Sequence, residues 1–208
     1  MKTKYNVTTV VKNVCNLGYT LAAILLMLFA SACSIGGKSN PSHFYVLDSQ
    51  IENIATKKLS NLRMGVGPIT IPGYIDRPQI VTKTESAELQ LAEFDRWAEP
   101  MEGMFTRTLA ENIKAITGSH LIHSYPWSSN IEFTYRISAK VIKFENNANG
   151  DALLAVHWQL INSSDQSIAK EIDSEFNASA SDTSYSARVA ALNDTLAQFA
   201  QEIVGHID

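Results

Sequence analysis

The second half of the chain carries the clearest hydrophobic pattern. From Glu132 to Val141, Phe133, Tyr135, Ile137, Ala139 and Val141 alternate with Glu132, Thr134, Arg136, Ser138 and Lys140. Period two predicts a strand with one buried face. The phase slips at Ile142, since Phe144 continues the apolar set, and this predicts a bulge. Asn149-Gly150 is a strong hairpin signal. The returning segment, Asp151 to Ile161, places Leu154, Val156, Trp158 and Leu160 on one face. A second turn is expected at Ser163 to Gln166. Ile168, Ile172 and Phe176 then mark a third strand, so three strands form an antiparallel meander.

Two segments follow a helical period instead. Pro100 suits the first position of a helix, where its missing N–H costs nothing. Met101, Met104, Phe105, Thr108, Leu109, Ile113 and Ile116 then recur every three or four residues until Gly118. From about Thr183 to His206, Tyr185, Val189, Leu192, Leu196, Phe199 and Ile203 form one stripe. That stripe either docks on the sheet or forms a short heptad seam with a second copy. Weaker strand signals lie at His43 to Leu47, Asn61 to Ile69, Gln79 to Thr84, Glu88 to Glu93 and His120 to Tyr125. Gly65-Val66-Gly67 reads as a strand end, and Ile69 to Pro78 as an irregular loop punctuated by Pro72-Gly73. The expected fold is α/β: a mixed, largely antiparallel sheet with helices packed on it, forming a single domain over 43–208.

The N-terminus has a different character. Lys2, Lys4 and Lys12 precede a nine-residue apolar run from Leu21 to Phe29. Small residues follow, then Cys33. A basic leader, a short apolar core and small residues before a cut site make a secretory signal peptide over 1–32. The run is shorter than the roughly 20 residues that span a bilayer. Ala30-Ser31-Ala32 also satisfies ordinary signal peptidase, but a cysteine directly after the cut is the lipobox arrangement. Cys33 is therefore the expected site of lipidation, with the outer membrane reached through an acyl anchor. Ser34 is not the aspartate that typically retains lipoproteins at the inner membrane. Residues 33–42 read as the lipidated cysteine and a flexible tether rich in Gly, Ser and Asn, with a root-mean-square reach of ~16 Å.

Charge and cysteine content narrow the function classes. The leader holds three of the 17 basic residues and no acid, leaving 14 basic against 21 acidic residues, or −7. That balance excludes nucleic acid as an expected partner. Cys15 leaves with the leader and Cys33 is consumed by lipid, so no disulfide or thiolate nucleophile is expected. No zinc-site spacing, P-loop, dinucleotide fingerprint or nucleophile elbow occurs, and no metal, cofactor or enzymatic activity is expected. His120 and His123 lie three apart without a third ligand. His157, beside Trp158, reads as an ordinary strand histidine.

The stretch with the most suggestive composition is Gly67 to Pro78, GPITIPGYIDRP. A loop this apolar either packs on its own domain or meets a partner. Tyr74, Ile75 and Arg77, with Arg96 and Trp97 in FDRWAEP, are the candidate partner-binding residues. Arg and Trp are favoured interface anchors.

VGPITIPGYIDRPQIV (Val66 to Val81) and LQLAEFDRWAEPMEGMFTRTLAENI (Leu89 to Ile113) resemble the ABC-type transport auxiliary lipoproteins, particularly the paraquat-inducible intermembrane transport type. The resemblance extends to Tyr125-Pro126-Trp127, the long strand pair and the final helix. It implies an outer-membrane lipoprotein working with an MCE-domain transport protein in lipid movement between two membranes, with homo-oligomerisation possible. It carries no catalytic residue. The competing function is a carrier that holds an acyl chain in its own core.

Overall fold

The computed structural model describes residues 40–51, 59–84, 86 and 88–207, with four isolated leader positions (18, 19, 21 and 24). Cys33, the cut site and most of the expected tether lie outside the described residues. Pro41 to Asp208 forms one compact unit.

The strands are β1 (His43–Tyr45), β2 (Met64–Thr70), β3 (Gln79–Lys83), β4 (Leu89–Trp97), β5 (Ile122–Ser124), β6 (Tyr135–Asn146), β7 (Ala152–Asn162) and β8 (Ile168–Ala178). The helices are α1 (Met101–Thr117) and α2 (Tyr185–Gly205). One path through the sheet runs β1-β4-β3-β6-β2-β5, while β7 and β8 extend from β6. Pairing is antiparallel for β3–β4, β6–β7 and β7–β8. It is parallel for β1–β4, β2–β5, β2–β6 and β3–β6. The sheet is mixed, and the meander supplies its longest ladders.

The meander follows its hydrophobic pattern. Ile137, Ala139, Val141, Leu154, Val156, Trp158 and Leu160 are all buried. The β6–β7 register shifts between Val141 and Lys143, so the bulge falls at the expected slip. The hairpin differs from a two-residue turn. Asn146 pairs with Ala152, leaving a loop from Asn147 to Asp151. Gly150 sits at φ 101°, and the Arg188 guanidinium of α2 donates to the carbonyls of Asn147 and Ala148 at 2.7 and 2.9 Å. A side chain far along the sequence thus clasps the loop, which a local turn signal cannot reveal.

Both helices lie where the stripes placed them. α1 ends at Gly118, whose φ of 70° and N–H donation to Lys114 O form a left-handed cap. α2 begins at Ser184, whose Oγ accepts from Ala187 N at 3.2 Å. Val189, Leu192, Leu196, Phe199 and Ile203 are buried against the sheet and α1, so the stripe is core and not an oligomer seam. Trp158, Phe176 and Phe199 meet ring to ring, with centroids 5.7 to 5.9 Å apart.

Two expected boundaries move. β4 continues to Trp97 rather than stopping at Glu93, because β1 pairs with its last three residues. β2 runs through Gly67-Pro68 to Thr70, so Gly65-Val66-Gly67 lies inside a strand and not at its end. Its pairing with β6 shifts register between Val66 and Ile69 and resumes beyond the cis Gly67-Pro68 bond.

Candidate docking surfaces

The loop from Ile71 to Pro78 is a packed crossover. Its turn closes through Ile75 N–H to Pro72 O at 3.0 Å. Ile75 is 3% exposed and lines a small enclosed space with Trp97, Met101, Phe144 and Leu192. Tyr74 is half-buried, and its hydroxyl donates to Glu145 Oε2 at 2.7 Å. Lys83 Nζ lies 3.4 Å from the other oxygen, Oε1. The carboxylate of Glu145 is buried and requires such partners. Burial, and then the neighbouring carboxylate, push the Tyr74 phenol above its usual range, so it remains a donor.

The five candidate residues therefore divide. Ile75 and Trp97 are interior, and Tyr74 ties the loop to the end of β6; these three are not the exposed apolar contacts that the composition suggested. Trp97 is held further by its backbone N–H to Pro78 O at 2.7 Å. Arg77 and Arg96 remain partly exposed. Each has a buried Nε without a partner, and neither guanidinium makes an ion pair or side-chain hydrogen bond among the described residues. Arg96 is in register with Gln79 on one side and Phe44 on the other. Arg77 stands two residues before Gln79.

A second surface is built on the glycines of β2. A Cβ at Gly65 would meet Trp127 at 3.0 Å and Phe133 at 3.2 Å, and one at Gly67 would meet Tyr125 Cβ at 2.5 Å. The bare backbone lets three rings lie against the strand. Tyr125, Trp127 and Phe133 stack edge to face in sequence, with centroids 5.3 and 4.9 Å apart, and His123 continues the row at 5.9 Å from Phe133. Tyr125 is 49% exposed, while Trp127 and Phe133 are half-buried. An open concavity of about 480 Å³ adjoins the row, lined by Trp127, Phe133, Arg136 and Gln166 among others. The sequence signal for this shelf was Gly-Val-Gly followed, 58 positions after Gly67, by Tyr125-Pro126-Trp127. Periodicity does not connect such distant segments.

The outer face of the meander carries a charged cluster around His157. Asp173 Oδ1 lies 2.8 Å from His157 Nδ1, and Glu171 Oε1 lies 3.2 Å from Nε2. Asp173 chiefly, with Glu171, holds the imidazole above its ordinary value. No group of three or more metal-ligating side chains occurs among the described residues, and no helix there is long and apolar enough to cross a membrane.

Residues 45–204 match the family described as ABC-type transport auxiliary lipoprotein component. The chain belongs to that family. It is similar to the intermembrane transport lipoprotein PqiC of Escherichia coli K12, with 23% identity over 141 residues, 68% of this chain and 71% of the relative. The PqiC of Shigella flexneri matches to the same extent. Among solved structures, a Xanthomonas campestris protein superposes with a TM-score of 0.63 at 22% identity, covering 78% of this chain and 93% of that one. An uncharacterized protein superposes at 0.64 with 18% identity, covering 81% of this chain and all of the other. These two structures share the fold, and intermembrane transport is the role that the PqiC relatives carry in their names.

Proposed function

We propose that the chain is the docking component of an intermembrane lipid-transport system. Cys33 carries acyl chains that hold it on the periplasmic side of the outer membrane, and the folded unit receives an MCE-domain transport protein. Removal of the leader at residue 32 frees that cysteine, and a single acyl chain binds too weakly to hold a protein permanently, so more than one chain is required. Tyr74, Ile75 and Trp97 contribute as the packed support of Arg77 and Arg96. The shelf of Tyr125, Trp127 and Phe133 is the surface offered to the partner.

The observation that carries this reading is the shelf itself: three rings on a glycine bed, one of them half-exposed, beside an open concavity. Aromatic anchors in such settings dominate interface energetics. The carrier reading needs an apolar cavity of a few hundred Å³. The enclosed space beside Ile75, Trp97 and Phe144 is about 10 Å³, room for no more than a water.

Tyr125→Ala/Trp127→Ala tests the reading. Loss of the two anchors, worth ~2 kcal/mol or more together, implies at least about 30-fold weaker capture of the MCE-type partner. The melting midpoint, measured in parallel, should stay within a few degrees of wild type. Undiminished capture by the variant would place the docking surface elsewhere.

A further inference from the structure

The outward face of β1–β4–β3 has a composition that partner docking at the shelf does not use. Phe44 is 66% exposed and Val46 is 46% exposed. Alternation puts both on the side opposite Tyr45, which packs towards the core. The Cα register runs Phe44, Arg96, Gln79 across three strands. Trp97, the next residue along β4, is buried, so Arg96 faces outward. Arg77 lies two residues before Gln79, and Trp97 N–H to Pro78 O draws its segment against β4. Phe44 thus stands beside Arg96, with Arg77 at the start of the neighbouring strand, and neither guanidinium has a carboxylate partner among the described residues.

We propose that this face rests on phospholipid headgroups of the leaflet that takes the chain's own anchor, with Arg77 and Arg96 donating to phosphate oxygens while Phe44 and Val46 enter the interface. The inference rests on the anchoring at Cys33 proposed above. Chain continuity selects the occupant. Only nine residues, 34–42, separate Cys33 from His43, the first residue of β1, and Phe44 follows directly. A Gly- and Ser-rich segment of that length has a root-mean-square reach of ~16 Å. An acylated Cys33 therefore keeps this edge of the sheet within a short distance of the bilayer. The chemistry selects the same occupant. A guanidinium presents paired N–H donors that match a phosphate, and its aliphatic stem tolerates an apolar surround. Phe side chains are suited to the headgroup boundary. The site is local, so the negative charge of the whole unit does not oppose it beyond a screening length of ~8 Å.

The test uses the acylated full-length protein in liposomes of phosphatidylethanolamine and phosphatidylglycerol. Phe44→Trp introduces a reporter, and the difference from wild-type emission isolates it. A spin label near the lipid headgroup should quench the introduced indole more strongly than a label at the chain terminus. Adding Arg77→Gln/Arg96→Gln should reduce that quenching to the level seen for a solvent-exposed indole, with an unchanged circular dichroism spectrum. An indole quenched by aqueous iodide and by neither lipid label would overturn the proposal. So would quenching that persists unchanged without the two arginines. If the arginine variant keeps its lipid quenching but loses capture of the MCE-type partner, the face is a protein-docking surface and the proposal fails. Failure of the wild-type protein to float with the liposomes would refute the anchor itself, a separate outcome from failure of the face.

Discussion

At Gly67 the backbone has φ +123°, and an added methyl would stand 2.5 Å from the Cβ of Tyr125. Neither problem has a flexible escape, because the contact is with the first carbon of a side chain whose backbone N–H donates to Val66 O at 2.9 Å. Backbone strain in such a region costs about 1–3 kcal/mol, with the clash added. Gly67→Ala should therefore lower the unfolding free energy by ~2 kcal/mol or more in urea titration. Gly73→Ala meets nothing within 4 Å and should change it by no more than about 0.5 kcal/mol. Equal effects would mean that the rings do not depend on the glycine bed. The sequence exposed the glycines but assigned them to a strand end. What they make room for is Tyr125, Trp127 and Phe133, and no local rule links a glycine to a ring so far along the chain. Glu145 was equally hidden. It stands in the stretch after the bulge, and its burial follows from Tyr74, which comes from another crossover.

Elements with a strong period were legible because burial alone dictates them. The stripe of α2 and the inward faces of β6 and β7 each repeat often enough for one face to be unambiguous. The short strands were less so. β1 and β5 have three residues each and exist because a parallel neighbour completes their hydrogen bonds. Their own residues are too few to show a period. The loop after β2 was ambiguous for another reason: composition reports that Ile75 must be buried, but not in whose interior. Phe199, fully buried between Trp158 and Phe176, and Ile75, 3% exposed, now belong to the same core. Phe→Ala in a core costs about 3–5 kcal/mol and Ile→Ala about 2–5. Both Phe199→Ala and Ile75→Ala should lose stability on that scale in chemical denaturation, while Gln201→Ala on the exposed side of α2 should be near neutral. A small loss for Ile75→Ala would return the loop to the role of an exposed partner contact.

On the scale of the whole molecule, the order of strands matters most. Along the path β1-β4-β3-β6-β2-β5, the strand that receives the N-terminal segment is at one end and the strand beside the aromatic shelf is at the other. β7 takes one edge of β6 from Tyr135 to Asn146, so β2 and β3 share its other edge at different heights, β2 at Tyr135 to Lys140 and β3 at Asn146. In the function proposed above, the anchored segment leads into the β1-β4-β3 group and the shelf lies on the β2-β5 group, so the two can act independently. Cys33→Ser tests this separation. Without a thiol there is no diacylglyceryl acceptor, so palmitate labelling should disappear and the protein should leave the membrane fraction. It would emerge either as a precursor or as a periplasmic product cut after Ala32 by ordinary signal peptidase. The released form should still capture the MCE-type partner in detergent-free extract, because the glycine bed and its rings do not depend on acylation. Label retained in Cys33→Ser would sink the anchor at that residue. Label lost together with partner capture, in a protein that remains folded by circular dichroism, would show instead that the two ends of the sheet are not independent and that docking requires the membrane.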